Sequence, residues 1–353
     1  MLGSAGDKLS MMHSDNNRSK GTAMKRRKTE ERTKNLKPEI HNSQYGFSIV
    51  ELMIAILITV LVMAGVYTTF VVQQRSFTSQ DQVSETQGSS KIAFDMIVND
   101  IRNAGYGYPE GESPLINGFK GAVTINDPSL SPPGPNGSDF LTLIGGFRDI
   151  ATVGVPAGQD TVETGQTDTS GNPYLDVCYT GTTKFNTTTR KYISIDGVTY
   201  AEITSIESGK AVNCTDTERL ILDRPVDKAF PEGRPVYLIE DVTYRLTSAD
   251  GISCDKKKPG ECFLQRVNSG AGTVVTIASD IEDLQFAAID QNADGNTDHI
   301  RVSLLARTKW PDPTLNPSTK PYIATGIDLE GNTTSVNDKF RRRIWSMEVA
   351  LKN

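Results

Sequence analysis

The chain has 353 residues, 37% of them hydrophobic and 23% charged, with 30 glycines, 17 prolines and a net charge of −6. That balance excludes collagen-like and highly charged disordered classes and allows one or two packed domains. The charge is uneven: residues 1–46 hold ten Lys/Arg against five Asp/Glu, so the remaining 307 carry −6 − 5 = −11. An acidic body disfavours nucleic acid, which rewards basic surfaces. With His13, His41 and His299 the only histidines, a histidine triad or multi-histidine zinc site is hard to build. No G-x-S-x-G, Walker A loop or His/Cys ligand cluster occurs, so no enzyme is expected.

Residues 1–45 are polar and basic, with the run Lys25-Arg26-Arg27-Lys28, and no apolar periodicity predicts a packed element there. The composition then flips. Phe47 to Val72 is a run of 26 residues with one charged group, Glu51. As a helix it would span about 39 Å, enough for a bilayer core of about 30 Å. Eight Lys/Arg lie between Lys20 and Lys37, and only Arg75 follows closely on the other side. The positive-inside rule therefore places the N-terminus in the cytoplasm and the acidic body outside. A secretory signal peptide fits less well, because the run is long and no A-x-A-like site follows Val72. A plain single-pass anchor leaves Glu51 unexplained, since a charge in an apolar span is costly.

Gly46-Phe47-Ser48-Ile49-Val50-Glu51, followed by Leu52-Met53-Ile54-Ala55-Ile56-Leu57, resembles the processing motif of type IV prepilins. The resemblance implies that a membrane peptidase cuts after Gly46 and methylates Phe47, leaving Glu51 as the fifth mature residue. The new amine at Phe47 and the Glu51 carboxylate are one helical turn apart, and their attraction strengthens in a low-dielectric setting. An unpaired Glu51 would favour docking beside the free amine of a neighbouring subunit, fixing axial register. The 46-residue leader is longer than usual for the family; a start at Met24 would give 23 residues.

Beyond the span, Ile92, Met96, Ile97, Ile101 and Ala104 form an apolar stripe that predicts a helix lying along a sheet, with a soft joint at Gly88-Ser89-Ser90. Ala104-Gly105-Tyr106-Gly107-Tyr108-Pro109 should end it. The expected organisation is a leader at 1–46, a transmembrane or filament-core helix at 47–72, an amphipathic extension at 73–105 and a β-rich head at 106–353. Strands are predicted at 139–144, 175–179, 192–196, 198–206, 219–222, 236–246, 262–266, 273–278, 281–289, 300–307 and 342–351. Asp196-Gly197 and Asp250-Gly251 read as hairpin turns. Surface loops are predicted at 127–138, 154–173 and 309–321. With no helices alternating among the strands, the class is α+β: a long N-terminal helix packed on an antiparallel sheet, the layout of the pilin fold.

Asp100–Gly107, Ile281–Phe286 leading into Asp290–Asp298, and Arg341–Asn353 together resemble PilW-type minor pilins. That resemblance implies a low-abundance subunit at or near a pilus tip that primes assembly. Its partners would be prepilin peptidase, other minor and major pilins, the inner-membrane assembly platform and the membrane, with no nucleic acid. It implies an inner-membrane location before assembly and the pilus surface after it. Pseudopilins of type II secretion share the N-terminal motif, and a permanently anchored calcium-binding or adhesive surface protein is a further reading.

Asp290, Asn292, Asp294 and Asp298 fall at positions 1, 3, 5 and 9 of a loop with Gly295 at position 6, as in a calcium-binding EF-hand loop. Position 12 is Arg301, however, and no helices flank the loop, so a hairpin turn between strands is the competing reading. All four cysteines, Cys178, Cys214, Cys254 and Cys262, lie on the exterior side. Disulfides suit an oxidising compartment. Of the three connectivities, Cys178–Cys214 with Cys254–Cys262 closes the shortest loops.

Overall fold

The computed structural model describes residues 46–108, 121–126, 138–212, 214–248, 261–268, 272–291, 297–312 and 339–351. The chain divides into two units, Met1–Val62 and Met63–Asn353. In the first, the described residues are the start of a helix, α1 (Ile49–Asn103). Ser48 caps it: its hydroxyl accepts the Val50 N–H at 3.3 Å and its carbonyl accepts the Leu52 N–H at 3.1 Å. The whole unit is exposed as far as it is described.

In the second unit α1 continues without a break through Gly88-Ser89-Ser90. The Ser90 hydroxyl donates to the Thr86 carbonyl at 2.5 Å, so the turn satisfies itself there. The stripe that meets the sheet corrects the sequence reading. Ile92 is 66% exposed and Met96 36%, while Ser90, Ala93, Phe94, Ile97, Val98 and Ile101 are buried. Every one of those falls near a single helix face at three- and four-residue spacing. The helix ends with Gly105 at φ 82°, a left-handed cap that glycine adopts without a Cβ clash.

Fourteen strands follow. They are β1 (Val123–Ile125), β2 (Leu141–Gly154), β3 (Thr161–Val162), β4 (Tyr174–Tyr179), β5 (Tyr192–Ile195), β6 (Thr199–Ser208) and β7 (Thr217–Leu222). Then come β8 (Phe230–Pro231), β9 (Pro235–Ser248), β10 (Cys262–Asn268), β11 (Thr273–Ser279), β12 (Ile281–Ile289), β13 (His299–Arg307) and β14 (Arg342–Ala350). The largest sheet has the order β1-β2-β4-β7-β6-β5-β9-β10-β11, and β2 also pairs with β9. That extra pairing closes β2, β4, β7, β6, β5 and β9 into a six-stranded antiparallel barrel. Its interior is filled by Val153, Leu175, Val177, Ile193, Leu220 and Leu238, among others.

A second core lies under α1. Phe94, Ile97 and Ile101 pack there with Leu141 and Leu143 of β2, Tyr244 of β9 and Ile300, Val302 and Leu304 of β13. β12, β13 and β14 form the three-stranded sheet that completes it. Each fully buried aliphatic or aromatic side chain contributes about 1.5–3 kcal/mol. The long strands β2 and β9 belong to both cores, one half in each.

The free edge of β2 is divided among three partners. β1 takes Leu141 to Leu143, β4 takes Ala151 to Gly154, and the end of α1 takes the gap. The Gly105 N–H donates to the Ile144 carbonyl at 2.8 Å, and the Gly146 N–H donates to the Tyr106 carbonyl at 2.9 Å. A Cβ on Gly145 would meet the Asn103 carbonyl oxygen at 2.7 Å, so glycine permits this close crossing.

Asp196-Gly197 makes the expected two-residue turn between β5 and β6, with φ values of 51° and 70°. Asp250-Gly251 lies outside the described residues; on either side of it, Ser248 at the end of β9 pairs with Cys262 of β10. The loop predicted at 154–173 contains β3, which pairs with β8. Residues 127–137 and 313–321 of the other two predicted loops lie outside the described residues.

Candidate functional site

Gly46 and Phe47 precede α1 outside any helix or strand, and Phe47 is 82% exposed. Nothing lies within 4 Å of a Cβ built on Gly46, and its φ is not left-handed. Neither packing against the described residues nor backbone strain therefore calls for glycine at that position. Glu51 sits in the first turn, three residues after the Ser48 cap, where a carboxylate also favours the positive end of the helix dipole. None of the apolar stretch long enough to cross a membrane is buried. A helix of that composition, uncovered by the described residues, is suited to an apolar environment supplied from outside it.

Three contacts in the second unit fasten α1 to the head. The Ser79 hydroxyl donates to Asp312 Oδ2 at 2.7 Å, and Arg341 Nε donates to the same oxygen at 2.6 Å. Trp345 Nε1 donates to the Ser90 hydroxyl at 2.9 Å. Asp100 Oδ2 accepts the Tyr244 hydroxyl at 2.6 Å and Arg266 Nε at 2.9 Å. Burial first, and then the neighbouring Asp100 carboxylate, push the Tyr244 phenol far above its usual range. No local pattern marks these anchors, because each joins residues remote along the chain.

The arginine run near the C-terminus is absorbed in the same region. Arg342 makes a two-pronged pair with buried Glu282, at 2.6 and 2.9 Å, and Arg307 lies 3.6 Å from that carboxylate. Arg343 and Lys91 both stack on the Trp345 ring, 5.1 and 5.5 Å from its centre.

Residues 41–67 match the family model described as the prokaryotic N-terminal methylation motif. The match supports a type IV pilin-like protein, and the helix followed by antiparallel sheets is a pilin-like arrangement. It implies processing by prepilin peptidase and association with pilins and the membrane. No curated protein and no solved structure matches the chain.

The acidic loop is the connection of the β12–β13 hairpin, since Ile289 pairs with His299. Asp298 closes it, its Oδ2 accepting the Gln291 N–H at 2.8 Å. Asn292 and Asp294 lie outside the described residues, and among the described residues no three metal-ligating side chains cluster. Cys178 and Cys214 form a disulfide with Cα atoms 5.8 Å apart. Cys262 is also disulfide-bonded, and Cys254 lies outside the described residues.

Proposed function

We propose that the chain is a minor pilin of a type IV pilus, a structural subunit rather than an enzyme. It is cut after Gly46, methylated at Phe47 and built into a fibre at or near its tip to prime assembly. The observation that carries this reading is the Gly46-Phe47 junction within the methylation motif: a glycine that packs against no described residue, directly before an apolar helix that no described residue covers. In the membrane the uncovered face meets lipid. In a fibre it would meet the helices of other pilins, with Glu51 attracting an incoming cationic amine.

The PilW-type assignment rests on the patches at Asp100–Gly107, Ile281–Phe286 with Asp290–Asp298, and Arg341–Asn353. The positive-inside pattern supports an N-terminus in the cytoplasm, and with the prepilin reading it favours the inner membrane before assembly. Intact mass of the membrane-extracted protein tests processing. A chain beginning at methylated Phe47 is expected, and Gly46→Ala should leave the leader attached and remove the subunit from fibres. Glu51→Gln should be cut normally yet fail to co-assemble. Recovery with secretion components instead of pilus components would move the subunit to the pseudopilins. A mature protein that retains its leader would defeat the reading.

A further inference from the structure

We propose that Arg75, Lys309, Trp310 and Lys339 form a docking surface for the headgroups of anionic phospholipids, holding the head against the membrane before assembly. The inference rests on the reading of Phe47–Val72 as the membrane span.

Position along the helix comes first. The apolar run ends at Val72, and at about 1.5 Å per residue Arg75 stands about 4.5 Å beyond it and Ser79 about 10.5 Å. Ser79 is the point at which the head grips the helix through Asp312. Asp312 in turn donates its backbone N–H to the Lys339 carbonyl at 2.8 Å, and the Thr308 N–H donates to the Arg341 carbonyl at 2.8 Å. Segments 308–312 and 339–341 thus form a two-chain tip at the height of Ser79. Trp345 contacts Ser90, about 16 Å further from the span on the same rise, so among the described contacts this tip is the membrane-proximal end of the head. The headgroup layer on each side of a bilayer is about 5–7 Å thick. Long side chains at the tip reach it.

Chemistry comes second. Lys309, Trp310 and Lys339 are exposed, Trp310 by 52%, whereas the only other tryptophan is packed on Phe94. Tryptophan favours the layer between hydrocarbon and water, where its ring sits in an apolar setting and its N–H stays wet. Arg75 lies four residues before Ser79 and so on the face that meets the tip; both line one cleft with Asp312. Asp81, two residues after Ser79, falls on the opposite face. Among the described residues Arg75, Lys309 and Lys339 make no ion pair, while the one carboxylate of the tip, Asp312, is buried and held by Arg341. Three cations with no ion pair among the described residues thus lie at one end of a body whose net charge is −11. Cations at an anionic lipid surface gain about a factor of five each in association.

The test uses the full-length protein in nanodiscs of phosphatidylcholine, with or without phosphatidylglycerol, carrying a headgroup-attached spin label that quenches tryptophan. Quenching should be stronger with phosphatidylglycerol, weaken in high salt, and vanish in Trp310→Phe, whose remaining Trp345 serves as the unquenched reference. Lys309→Gln with Lys339→Gln should lower the lipid-contacting fraction about fivefold per removed charge. Arg75→Gln, which leaves the tip untouched, supplies the same reading should the lysine variant misfold. Equal quenching in both lipids, or quenching that persists in Trp310→Phe, would overturn the docking surface. A chain that fails to enter the discs would strike the membrane-span reading; entry without lipid dependence would strike only this one.

Discussion

Trp345, in the last strand, and Ser90, in the helix, meet through an indole N–H to hydroxyl hydrogen bond at 2.9 Å across 255 positions of sequence. Ser90 is fully buried and also donates to Thr86, so one hydroxyl ties helix backbone and β14 together. Trp345→Phe keeps the ring against Phe94 but strands the Ser90 acceptor. It should cost about 1 kcal/mol in denaturant unfolding, and Ser90→Ala in the same background should add little. Independent, additive losses would show that the bond is not what couples the pair.

At the β5–β6 turn, Gly197 has φ 70°, and an added Cβ would lie 2.3 Å from the Tyr106 ring. Gly197→Ala therefore meets both backbone strain and a rigid aromatic, and is expected to destabilise by about 3 kcal/mol. Shortening Tyr106 to alanine in the same chain should relieve the steric part only. A melting point unchanged by Gly197→Ala would refute the packing.

Glu240 titrates in an unusual sense. Burial raises its carboxyl above the usual carboxylate range, with Arg148 only partly offsetting the effect. A folded-state value above the unfolded one means that the protonated form favours folding. The contribution is complete below the unfolded value and is lost as pH rises through the folded one. Glu240→Gln should thus flatten the stability profile above about pH 4, with the variant gaining on the parent as pH rises. Parallel profiles would contradict this.

The Cys178–Cys214 bridge ties β4 to the segment that enters β7, 36 residues on. Replacing both cysteines by serine should cost about 3–4 kcal/mol through the freed unfolded chain. Comparison of melting curves with and without reductant checks it, since the double variant should have lost sensitivity at this bridge.

Much of the fold was legible because most strands alternate or carry β-branched runs, and β12 matched its predicted range of 281–289. The second half of β2 was not. Gly145-Gly146 and then Arg148-Asp149 interrupt the apolar pattern, and the structure accommodates them with register shifts at Gly146/Arg148 and Asp149/Ala151. The helix stripe was misread at Ile92 and Met96 because hydrophobicity alone does not say which face is covered; small Ser90 and Ala93 mark the true contact. Barrel closure was invisible, since it depends on β2 meeting β9, strands that begin more than ninety residues apart. The processing residues were readable because their signal is local. The Ser79–Asp312 anchor was not, for the opposite reason.

β2 and β9 share a ladder of ten residue pairs that passes from the helix-covered core into the barrel. Force applied to α1 is thereby carried straight into the barrel wall, and neither half can let go without shearing that common seam. Within the second unit, a pull on the helix would therefore move the helix-covered core and the barrel together, with no hinge at that seam.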